Sequence, residues 1–257
     1  MHKGIDVSRW QGEIDFKKVK AAGYDFVIIK AGGSDMGFYT DSSWEKNYKA
    51  AKAAGLHVGA YYFVGFLFYG DTAGRADALR FIRMLDGKQL ELPVFVDIET
   101  TQPTRKAEAT QAAIAFCETM EEAGYFVGIY ASDIYGFKER LDHDQLKAYA
   151  HWVADYSGDT DICKDWQIRQ ITSKGIIPGI DTYVDLDITS VDYFSIMKKN
   201  GLNGFKKGEK NNDTERYSDT RKSRIYSAAD RSAEPDPAGS SSGTGSTGTG
   251  KRKRSSK

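Results

Sequence analysis

Three segments of this chain repeat the order helix, glycine, apolar run, and this rhythm limits the folds that it can adopt. The repeated glycines are Gly23, Gly55 and Gly124. Glycine most easily takes the left-handed backbone conformation that ends a helix. The apolar runs that follow are residues 26–31, 58–64 and 126–131. Continuous apolar runs suit strands that are buried on both faces, so the rhythm predicts an α/β fold around a parallel sheet.

Helical periodicity fills the gaps between the apolar runs. The clearest stripe consists of Ala109, Ala112, Ala113, Phe116, Cys117 and Met120, which share one face of a helix. The predicted helices are residues 15–22, 43–53, 73–86 and 104–122, and the predicted strands are residues 4–8, 25–31, 56–64, 92–98, 126–131, 150–154, 166–171 and 183–188. Little helix separates the last three strands. Eight strands in this order predict a TIM-like barrel that closes irregularly.

The fourth predicted strand ends in two carboxylates, Asp97 and Glu99. Alternate residues of a strand project from the same side, so both acids face one way. Cleavage of a glycosidic bond needs such a pair, with one acid protonated as a general acid and the other ionised as a nucleophile or an electrostatic stabiliser. Two residues along a strand span roughly 6.5–7 Å between Cα atoms, which is compatible with either class of carboxylate separation. An ordinary solvated strand end is the alternative interpretation.

Reactive groups of such barrels lie at the carboxyl ends of the strands. Other strand ends of this chain carry Asp6, Tyr61, Phe63, Tyr130, Tyr156, Asp185 and Asp187, and Trp10 follows the first strand. The first and last strands are neighbours in a closed barrel, so we expect Asp6 and Asp185 to lie side by side. Several carboxylates in one cleft repel, which raises at least one pKa. The aromatic residues would stack on sugar rings, although each alone is also consistent with core packing.

The net charge of zero hides an uneven distribution of charges. Residues 206–257 carry 13 basic and 7 acidic side chains, hence +6, which leaves −6 on residues 1–205. From residue 200 the composition is polar and later rich in Gly, Ser and Thr, and such a segment cannot bury enough apolar surface to fold. We therefore expect a barrel over residues 1–199 and a disordered basic tail over 200–257. A single basic cluster at its end is too common to indicate nucleic-acid binding.

Other classes of protein leave no signal in this chain. No apolar stretch is long enough to span a bilayer, and the N-terminal segment lacks the hydrophobic region of a signal peptide. We therefore expect synthesis in the cytoplasm and no membrane insertion. The four histidines have no metal-ligand spacing, and Cys117 falls on the apolar stripe, which indicates a buried free thiol. We expect no metal, no cofactor and no nucleic-acid partner, and we expect a monomer.

Six motifs together resemble glycoside hydrolase family 25, the lysozyme family of phage endolysins and bacterial autolysins. They are GIDVS at 4–8 with WQG at 10–12, GAYYF at 59–63, FVDIE at 95–99, GIYAS at 128–132, WVA at 152–154, and PGI at 178–180 with VDLD at 184–187. They occur in the family's order and span about residues 1–197. One motif can match by chance, whereas six in register are specific.

The resemblance implies a (β/α)5(β)3 barrel that hydrolyses the β-1,4 bond between N-acetylmuramic acid and N-acetylglucosamine in bacterial peptidoglycan, with retention of configuration. By position, Glu99 resembles the proton donor. Asp97 resembles the second carboxylate, which acts as a nucleophile or stabilises a cation formed by the substrate's acetamido group. Asp6 and Asp185 resemble supporting acids. The resemblance also implies action on the bacterial cell wall after release or export from the cytoplasm.

Two regions depart from the family's pattern. Arg169 and Ile171 flank Gln170 where the family usually has Trp and Tyr, so stacking on this strand is in question and Trp166 is the candidate substitute. Asp187 stands where Asn is common. The choice of Asp185 over Asp187 as the supporting acid is therefore a prediction in its own right.

Two other functions are weighed against this one. A chitinase-like barrel is less consistent with the chain. Those enzymes resemble a longer pattern, Asp-x-x-Asp-x-Asp-x-Glu, and Phe95 stands where that pattern has Asp. A catalytically inactive glycan-binding barrel has no reason to keep all four acids at the strand ends. Lysis of purified cell walls separates the enzyme from the binder.

Overall fold

The apolar runs of the chain become the strands of a barrel. A computed structural model describes residues 1–207. Its strands are β1 (His2–Val7), β2 (Phe26–Gly33), β3 (Tyr39–Thr40), β4 (His57–Phe63), β5 (Val94–Asp97), β6 (Val127–Ser132), β7 (Ala150–Ala154), β8 (Ile168–Gly175) and β9 (Val184–Thr189). Its α-helices are α1 (Phe16–Ala21), α2 (Trp44–Ala53), α3 (Gly70–Leu85), α4 (Lys106–Glu122), α5 (His143–Leu146) and α6 (Tyr193–Asn200). After β6 the chain forms a π-helical turn, Asp133–Lys138.

Eight of these strands form a closed ring in the order β1, β9, β8, β7, β6, β5, β4, β2, with β2 pairing again to β1. The two-residue strand β3 extends β2 outside the ring. Within the ring, the neighbouring strands from β1 through β2 and β4 to β8 are parallel. The expected irregular TIM-like (β/α)5(β)3 barrel is confirmed.

The last strand differs from the expectation in its direction. β9 runs antiparallel to both β8 and β1. Asp185 and Asp187 therefore do not lie at a carboxyl end of a parallel strand. The amino end of β9 lies beside the carboxyl end of β1, where Asp185 pairs with Asp6 and Asp187 pairs with Gly4 further inside.

The helices cover the outside of the barrel. The predicted stripe of α4, from Ala109 to Met120, is fully buried against the outward-facing side of the sheet. Gly74 of α3 permits close packing with α4, because a Cβ atom at this position would lie 2.1 Å from the carbonyl oxygen of Ala112. Among residues 1–207, no helix combines the length and the apolar character needed to cross a membrane.

The chain closes the amino end of the barrel with α6 and the residues that follow it. Asp192 caps α6 by accepting a hydrogen bond from the Ser195 N–H, and Gly201 ends the helix in the left-handed conformation. The helix packs against the barrel's inner core, where Tyr193 meets Phe126 edge to face with ring centroids 5.8 Å apart. We call this side of the molecule the closed end.

Asn203 holds the closed end together through four hydrogen bonds. Its side chain accepts from the Phe126 N–H at 2.7 Å and donates to the Leu92 carbonyl at 2.6 Å. Its own N–H donates to Gly124, and its carbonyl accepts from Leu90. The packed chain thus continues beyond residue 199, where the sequence suggests the barrel ends. Residues 208–257, which make up most of the expected tail, lie outside the described residues.

Candidate active site

Inward-facing side chains change character along each strand. Near the closed end they are apolar, as are Ile28, Phe95 and Ile168. Two residues further on, the same faces carry Lys30, Asp97 and Gln170. Because alternate residues share a face of a strand, this shift places polar groups together at the carboxyl ends of the parallel strands. We call this side the mouth.

A cleft of about 360 Å³ occupies the mouth. It is lined by Asp6, Ser8, Trp10, Lys30, Asp35, Tyr61, Phe63, Asp97, Glu99, Tyr130, Trp152, Tyr156, Gln170 and Asp185. Nine of the ten site residues proposed from the sequence are in this set. The barrel therefore brings together side chains from all eight strands of the ring, of which the most distant are 179 positions apart in the chain, Asp6 and Asp185.

Asp187 is the one sequence-predicted site residue that does not line the cleft. It is only 1% exposed and lies beneath the floor, where its Oδ1 accepts a hydrogen bond from the Trp152 Nε1–H at 2.8 Å. A sugar in the cleft cannot reach it in this structure. The reason is the antiparallel direction of β9, which carries the chain inward after Asp185.

Asp97 and Glu99 lie on the same side of β5, as their spacing predicts. Asp97 ends the strand and is 4% exposed. Beyond it the backbone stays extended, because the Ile98 N–H donates to the Tyr130 carbonyl at 3.0 Å, and this keeps Glu99 directed into the cleft. Glu99 opens to solvent, whereas Asp97 forms part of the floor.

The surroundings raise the pKa of both acids. Burial raises the pKa of Asp97 well above its usual range, the charge of Glu99 raises it further, and the Lys30 ammonium opposes both. Burial also raises the pKa of Glu99 despite its opening to solvent, and a hydrogen bond from the Tyr130 hydroxyl and the charges of Lys30 and Arg140 oppose this rise. Because the charge of Glu99 raises the pKa of Asp97, we treat the two carboxyls as an interacting pair.

A second group of acids lies where β1 meets β9. Burial and the charges of Asp187 and Asp185 raise the pKa of Asp6 well above its usual range, and a hydrogen bond from Gln170 opposes the rise. Burial and the charge of Glu99 raise the pKa of Asp185 to about 6. Burial raises the pKa of Asp187 as well, with the Trp152 hydrogen bond opposing it. Each carboxyl of this group therefore makes ionisation of its neighbours less favourable.

Gln170 connects the two groups of acids. Its Nε2 donates to Asp6 Oδ2 at 2.8 Å. Its Oε1 accepts from the Tyr130 hydroxyl at 3.0 Å and from the Tyr156 hydroxyl at 2.7 Å. The sequence singled out this strand only for its missing aromatic residues and did not identify Gln170 as a site residue. Its partners are 14 to 164 positions away, so no local pattern marks it.

The aromatic side chains divide into a floor and two walls. Tyr61, Tyr130 and Trp152 are buried and contact one another, with the ring centroids of Tyr130 and Trp152 4.4 Å apart. Trp10 and Tyr156 are 73% and 55% exposed at the edges of the cleft. The exposed pair has the surface needed for stacking on sugar rings, while the buried set shapes the floor.

Lys30 is a second site residue that sequence reasoning missed. It is buried at the mouth, and its Nζ lies 4.3 Å from the centroid of the Phe63 ring. Its positive charge lowers the pKa of both Asp97 and Glu99 and so partly compensates the effect of burial. The available signal was a lysine inside the apolar run 26–31, since a buried lysine needs a partner.

The strand that departs from the family's pattern plays a different part. Arg169 faces away from the cleft and pairs with Asp155 at 3.1 Å, and it also donates to the carbonyl oxygens of Asp155 and Gly158. Trp166 packs against the outer core and does not line the cleft. The expected substitution by Trp166 is therefore wrong, and Trp152 contributes the indole of this region from β7.

Outside the cleft, the described residues contain one further set of potential ligands. His143, His151, Cys163 and Asp165 lie together on the outer side of the barrel wall. The sequence predicts no metal site because these residues are spread over 23 positions without a familiar spacing.

Comparison with known proteins finds relatives of this chain among lysozymes. The autolytic lysozyme of Clostridium acetobutylicum is 29% identical over 186 residues, which are 72% of this chain and 55% of that protein. The lysozyme M1 of Streptomyces globisporus is 46% identical over 61 residues, 24% of this chain and 20% of that protein. This chain thus spans little more than half the length of the autolytic lysozyme.

A solved structure with a similar fold is also known. The crystal structure of the CTP1L endolysin superposes with a TM-score of 0.67 at 26% identity, covering 77% of this chain and 70% of that chain. The family model for glycosyl hydrolases family 25 matches residues 5–180, which include every strand from β2 to β8 and the whole of the Asp97–Glu99 segment. This chain belongs to glycosyl hydrolases family 25.

Proposed function

We propose that this chain is an N-acetylmuramidase that hydrolyses the β-1,4 bond between N-acetylmuramic acid and N-acetylglucosamine in bacterial peptidoglycan, with retention of configuration. The observation that carries the proposal is the Asp97–Glu99 pair, which faces a cleft at the mouth of a family 25 barrel with both pKa values raised. Its relatives are named as an autolytic lysozyme and an endolysin, which supports the same substrate.

Glu99 acts as the general acid in this proposal. Its carboxyl is the one that opens to the cleft, so it can reach a glycosidic oxygen bound there. Its raised pKa keeps a proton available nearer to neutral pH. As the bond between the anomeric carbon and the glycosidic oxygen breaks, the Glu99 proton moves to that oxygen and the sugar product leaves as an alcohol.

Asp97 faces the cation that develops at the anomeric carbon. Two retaining routes use it differently. In one route an Asp97 oxygen bonds to the anomeric carbon, and in the other the substrate's acetamido oxygen does so while Asp97 stabilises the resulting cation. In both, ionised Glu99 then takes a proton from the attacking water. A covalent sugar on Asp97 indicates the first route, and tight competitive inhibition by a thiazoline analogue indicates the second.

The remaining carboxyls and Gln170 hold the charge pattern around this pair. Asp185 raises the pKa of Asp97, and Asp97 raises the pKa of Asp6. Gln170 links Asp6 to Tyr130, the hydroxyl that contacts Glu99. Trp10 and Tyr156 supply the stacking surfaces for the glycan. We infer that a monomer suffices for this chemistry, since one chain supplies every group named.

The deciding experiment is digestion of purified peptidoglycan followed by mass spectrometry of the released fragments. New reducing ends on muramic acid support the proposal. Reducing ends on glucosamine, or activity on chitin alone, contradict it in favour of another glycosidase. Binding to walls without any new reducing end indicates an inactive glycan-binding barrel. Glu99→Gln serves as the inactive control and Glu108→Gln, an exposed acid on α4, as the matched surface change.

The place of action follows from this substrate. Peptidoglycan lies outside the cytoplasmic membrane, so the enzyme made in the cytoplasm acts only after release or export. Detection of the chain in the cell-wall fraction of lysing cells, and not in that of intact cells, supports release at lysis.

A further inference from the structure

The connection between β7 and β8 lacks the helix that a regular barrel has there. Residues 155–167 cross the outer side of the barrel wall without a helix or a strand. Loops of this length that carry no secondary structure are uncommon unless they serve a function. This loop instead packs against α5 and the preceding turn through the side chains of His143, His151, Cys163 and Asp165.

Four different donor atoms converge at this contact. One ligand atom from each of the four side chains lies within 4.8 Å of the others. The Asp165 Oδ1 is their shared neighbour, 3.1 Å from His143 Nε2 and 3.6 Å from both Cys163 Sγ and His151 Nδ1. Nitrogen, sulfur and carboxylate oxygen are the ligands that structural zinc sites use.

His151 directs one ring nitrogen at the backbone and the other at the cluster. Its Nε2 lies 3.2 Å from the Leu146 carbonyl oxygen, which can only accept, so this nitrogen carries the proton. The other nitrogen, Nδ1, then carries a lone pair. It is fully buried and makes no hydrogen bond with any residue in 1–207. Metal-bound histidines characteristically donate their second N–H to a carbonyl or carboxylate in this way.

An unoccupied lone pair facing a carboxylate is unfavourable. His151 Nδ1 and Asp165 Oδ1 are both acceptors, and at 3.6 Å they are too far apart for a hydrogen bond. A buried polar atom in this condition calls for an ion or a proton that satisfies it. His143 and Cys163 lie beside this pair, so a cation that all four side chains can bind satisfies more groups than a proton does.

The surrounding residues hold the four groups in position. The Phe137 ring contacts both imidazoles, with centroid distances of 5.8 Å to His143 and 5.1 Å to His151. The Asp133 carboxylate accepts hydrogen bonds from the backbone N–H groups of residues 161–163, at 2.8 Å for Cys163. The turn that carries the thiol is therefore fixed by a second layer of contacts.

We propose that His143, His151, Cys163 and Asp165 bind one Zn²⁺ ion that fastens the β7–β8 loop to the barrel wall. Tetrahedral zinc with bonds of about 2.0–2.3 Å requires its ligands roughly 3.3–3.8 Å apart, so the side chains need to close by about 1 Å. Binding transfers the Cys163 thiol proton to solvent. Four protein ligands leave no open position, which makes the site structural.

The loop that the ion fastens begins beside the cleft. Tyr156 follows β7 directly, lines the cleft and donates to Gln170. The zinc therefore secures one wall of the cleft from behind without touching the reacting groups. It takes the place of the apolar contacts that a helix would make on this side of the barrel.

The test uses the full-length protein, freed of metal by a chelator and titrated with Zn²⁺ or Co²⁺ alone. We expect one equivalent of zinc per chain by elemental analysis and a melting temperature that rises with zinc concentration. Cobalt should give a thiolate-to-metal charge-transfer band in the near ultraviolet together with the intense visible bands of a tetrahedral ion.

Two variants identify the ligands, and a third serves as control. Cys163→Ser should remove the charge-transfer band and weaken zinc binding by more than the roughly 10–100-fold that loss of an outer hydrogen bond costs. His143→Gln, at a partly exposed position, should weaken binding in a protein that keeps its fold. Cys117→Ala should retain both the band and the affinity, because Cys117 lies in the α4 stripe away from the cluster.

Three results would overturn the proposal. They are less than half an equivalent of zinc in the wild-type protein, a cobalt spectrum without a thiolate band, and equal zinc affinity in wild type, Cys163→Ser and His143→Gln. The last result would place the metal outside the cluster, and the four residues would then form a network held by hydrogen bonds and charge.

Discussion

The two ends of this barrel are built from the same strands yet bury different polar groups, since the closed end buries uncharged ones, including the Tyr193 hydroxyl that is unpaired among residues 1–207, and the mouth buries carboxyls. At the closed end, Asn203 is fully buried and both ends of its side-chain amide are hydrogen bonded. At the mouth, neither Asp97 Oδ1 nor Asp187 Oδ2 accepts a hydrogen bond from the residues that the structure describes. One end is organised for stability, and the other keeps buried acids incompletely paired.

The buried acids at the mouth lower the stability of the fold, and their proposed function explains why they are kept. Buried carboxyls with few partners destabilise a fold, because each must lose water or hold a proton. The same condition raises the pKa of a general acid toward neutral pH. A barrel can tolerate such a mouth because its closed end and its outer helices supply the stability. Substitutions at the two ends should therefore act on different properties.

The largest effect is expected at the mouth. Glu99→Gln removes the proposed proton donor while keeping the shape of the side chain, so the rate of wall lysis should fall about 10²–10⁴-fold. The free energy of unfolding should stay the same or rise, since a poorly solvated acid is lost. Initial lysis rates and chemical denaturation measure the two quantities, with Glu108→Gln as control. A near wild-type lysis rate would remove Glu99 from its proposed role.

The converse result is expected at the closed end. Asn203→Ala leaves backbone groups of Phe126 and Leu92 buried without partners, so we expect a loss of about 2–4 kcal/mol in the free energy of unfolding. Lysis measured well below the melting temperature should be unchanged. Asn200→Ala, which removes a single local hydrogen bond to Ile196, is the matched control. Equal stability of the two variants would show that Asn203 does not hold this end together.

The pH dependence of lysis tests whether the Asp97–Glu99 pair acts as a unit. At low pH the pair takes up a second proton and loses its anionic partner, and at high pH it loses its last proton and the general acid. Lysis should therefore follow a bell-shaped profile, and the raised pKa values should place both limbs above the usual carboxyl range. A profile that is flat from acid to alkaline pH contradicts a carboxylic acid donor.

Asp185 and Asp187 of β9 differ in position, because Asp185 lines the cleft and Asp187 is buried beneath it, so their substitutions should differ in effect. Asp185→Asn alters a charge that lines the cleft, and we expect lysis to fall about tenfold, equivalent to about 1.4 kcal/mol in the barrier. Asp187→Asn should be milder, because the amide oxygen can still accept from Trp152. If Asp187→Asn is the more damaging change to activity, the supporting acid is Asp187.

The smallest effect is expected from deletion of the charged segment that follows residue 207. Residues 208–257 carry 11 basic and 7 acidic side chains, hence +4, which leaves −4 on residues 1–207. Deleting them should leave activity on short soluble glycans intact and weaken attack on polyanionic walls a few-fold at low salt. The difference should vanish as salt rises, since charges are screened over about 10 Å at 0.1 M. Equal wall binding by both forms at low salt contradicts this role.

The sequence predicts what local chemistry determines. The helix–glycine–strand rhythm predicts the barrel, and the two-residue spacing of Asp97 and Glu99 predicts that they share a side. The direction of β9 has no such local signal, because a strand's sequence does not encode which way it runs. Gln170 and Asn203 act through partners far away in the chain, 164 and 113 positions in the longest cases. They become recognisable as site and anchor only after the barrel has closed.

The Tyr130 hydroxyl has one proton to donate, and two acceptors, Gln170 and Glu99, compete for it. It donates to Gln170 in this structure, while a hydrogen bond to ionised Glu99 also lowers the pKa of that acid. A phenol hydroxyl donates one hydrogen bond at a time, so we expect the direction of its O–H bond to depend on the charge of Glu99. In the proposed mechanism, the hydroxyl turns toward Glu99 once that acid has given its proton to a sugar, and Gln170 then keeps only Tyr156 as a donor to its oxygen. Each catalytic cycle would therefore break and remake one hydrogen bond between Tyr130 and Gln170.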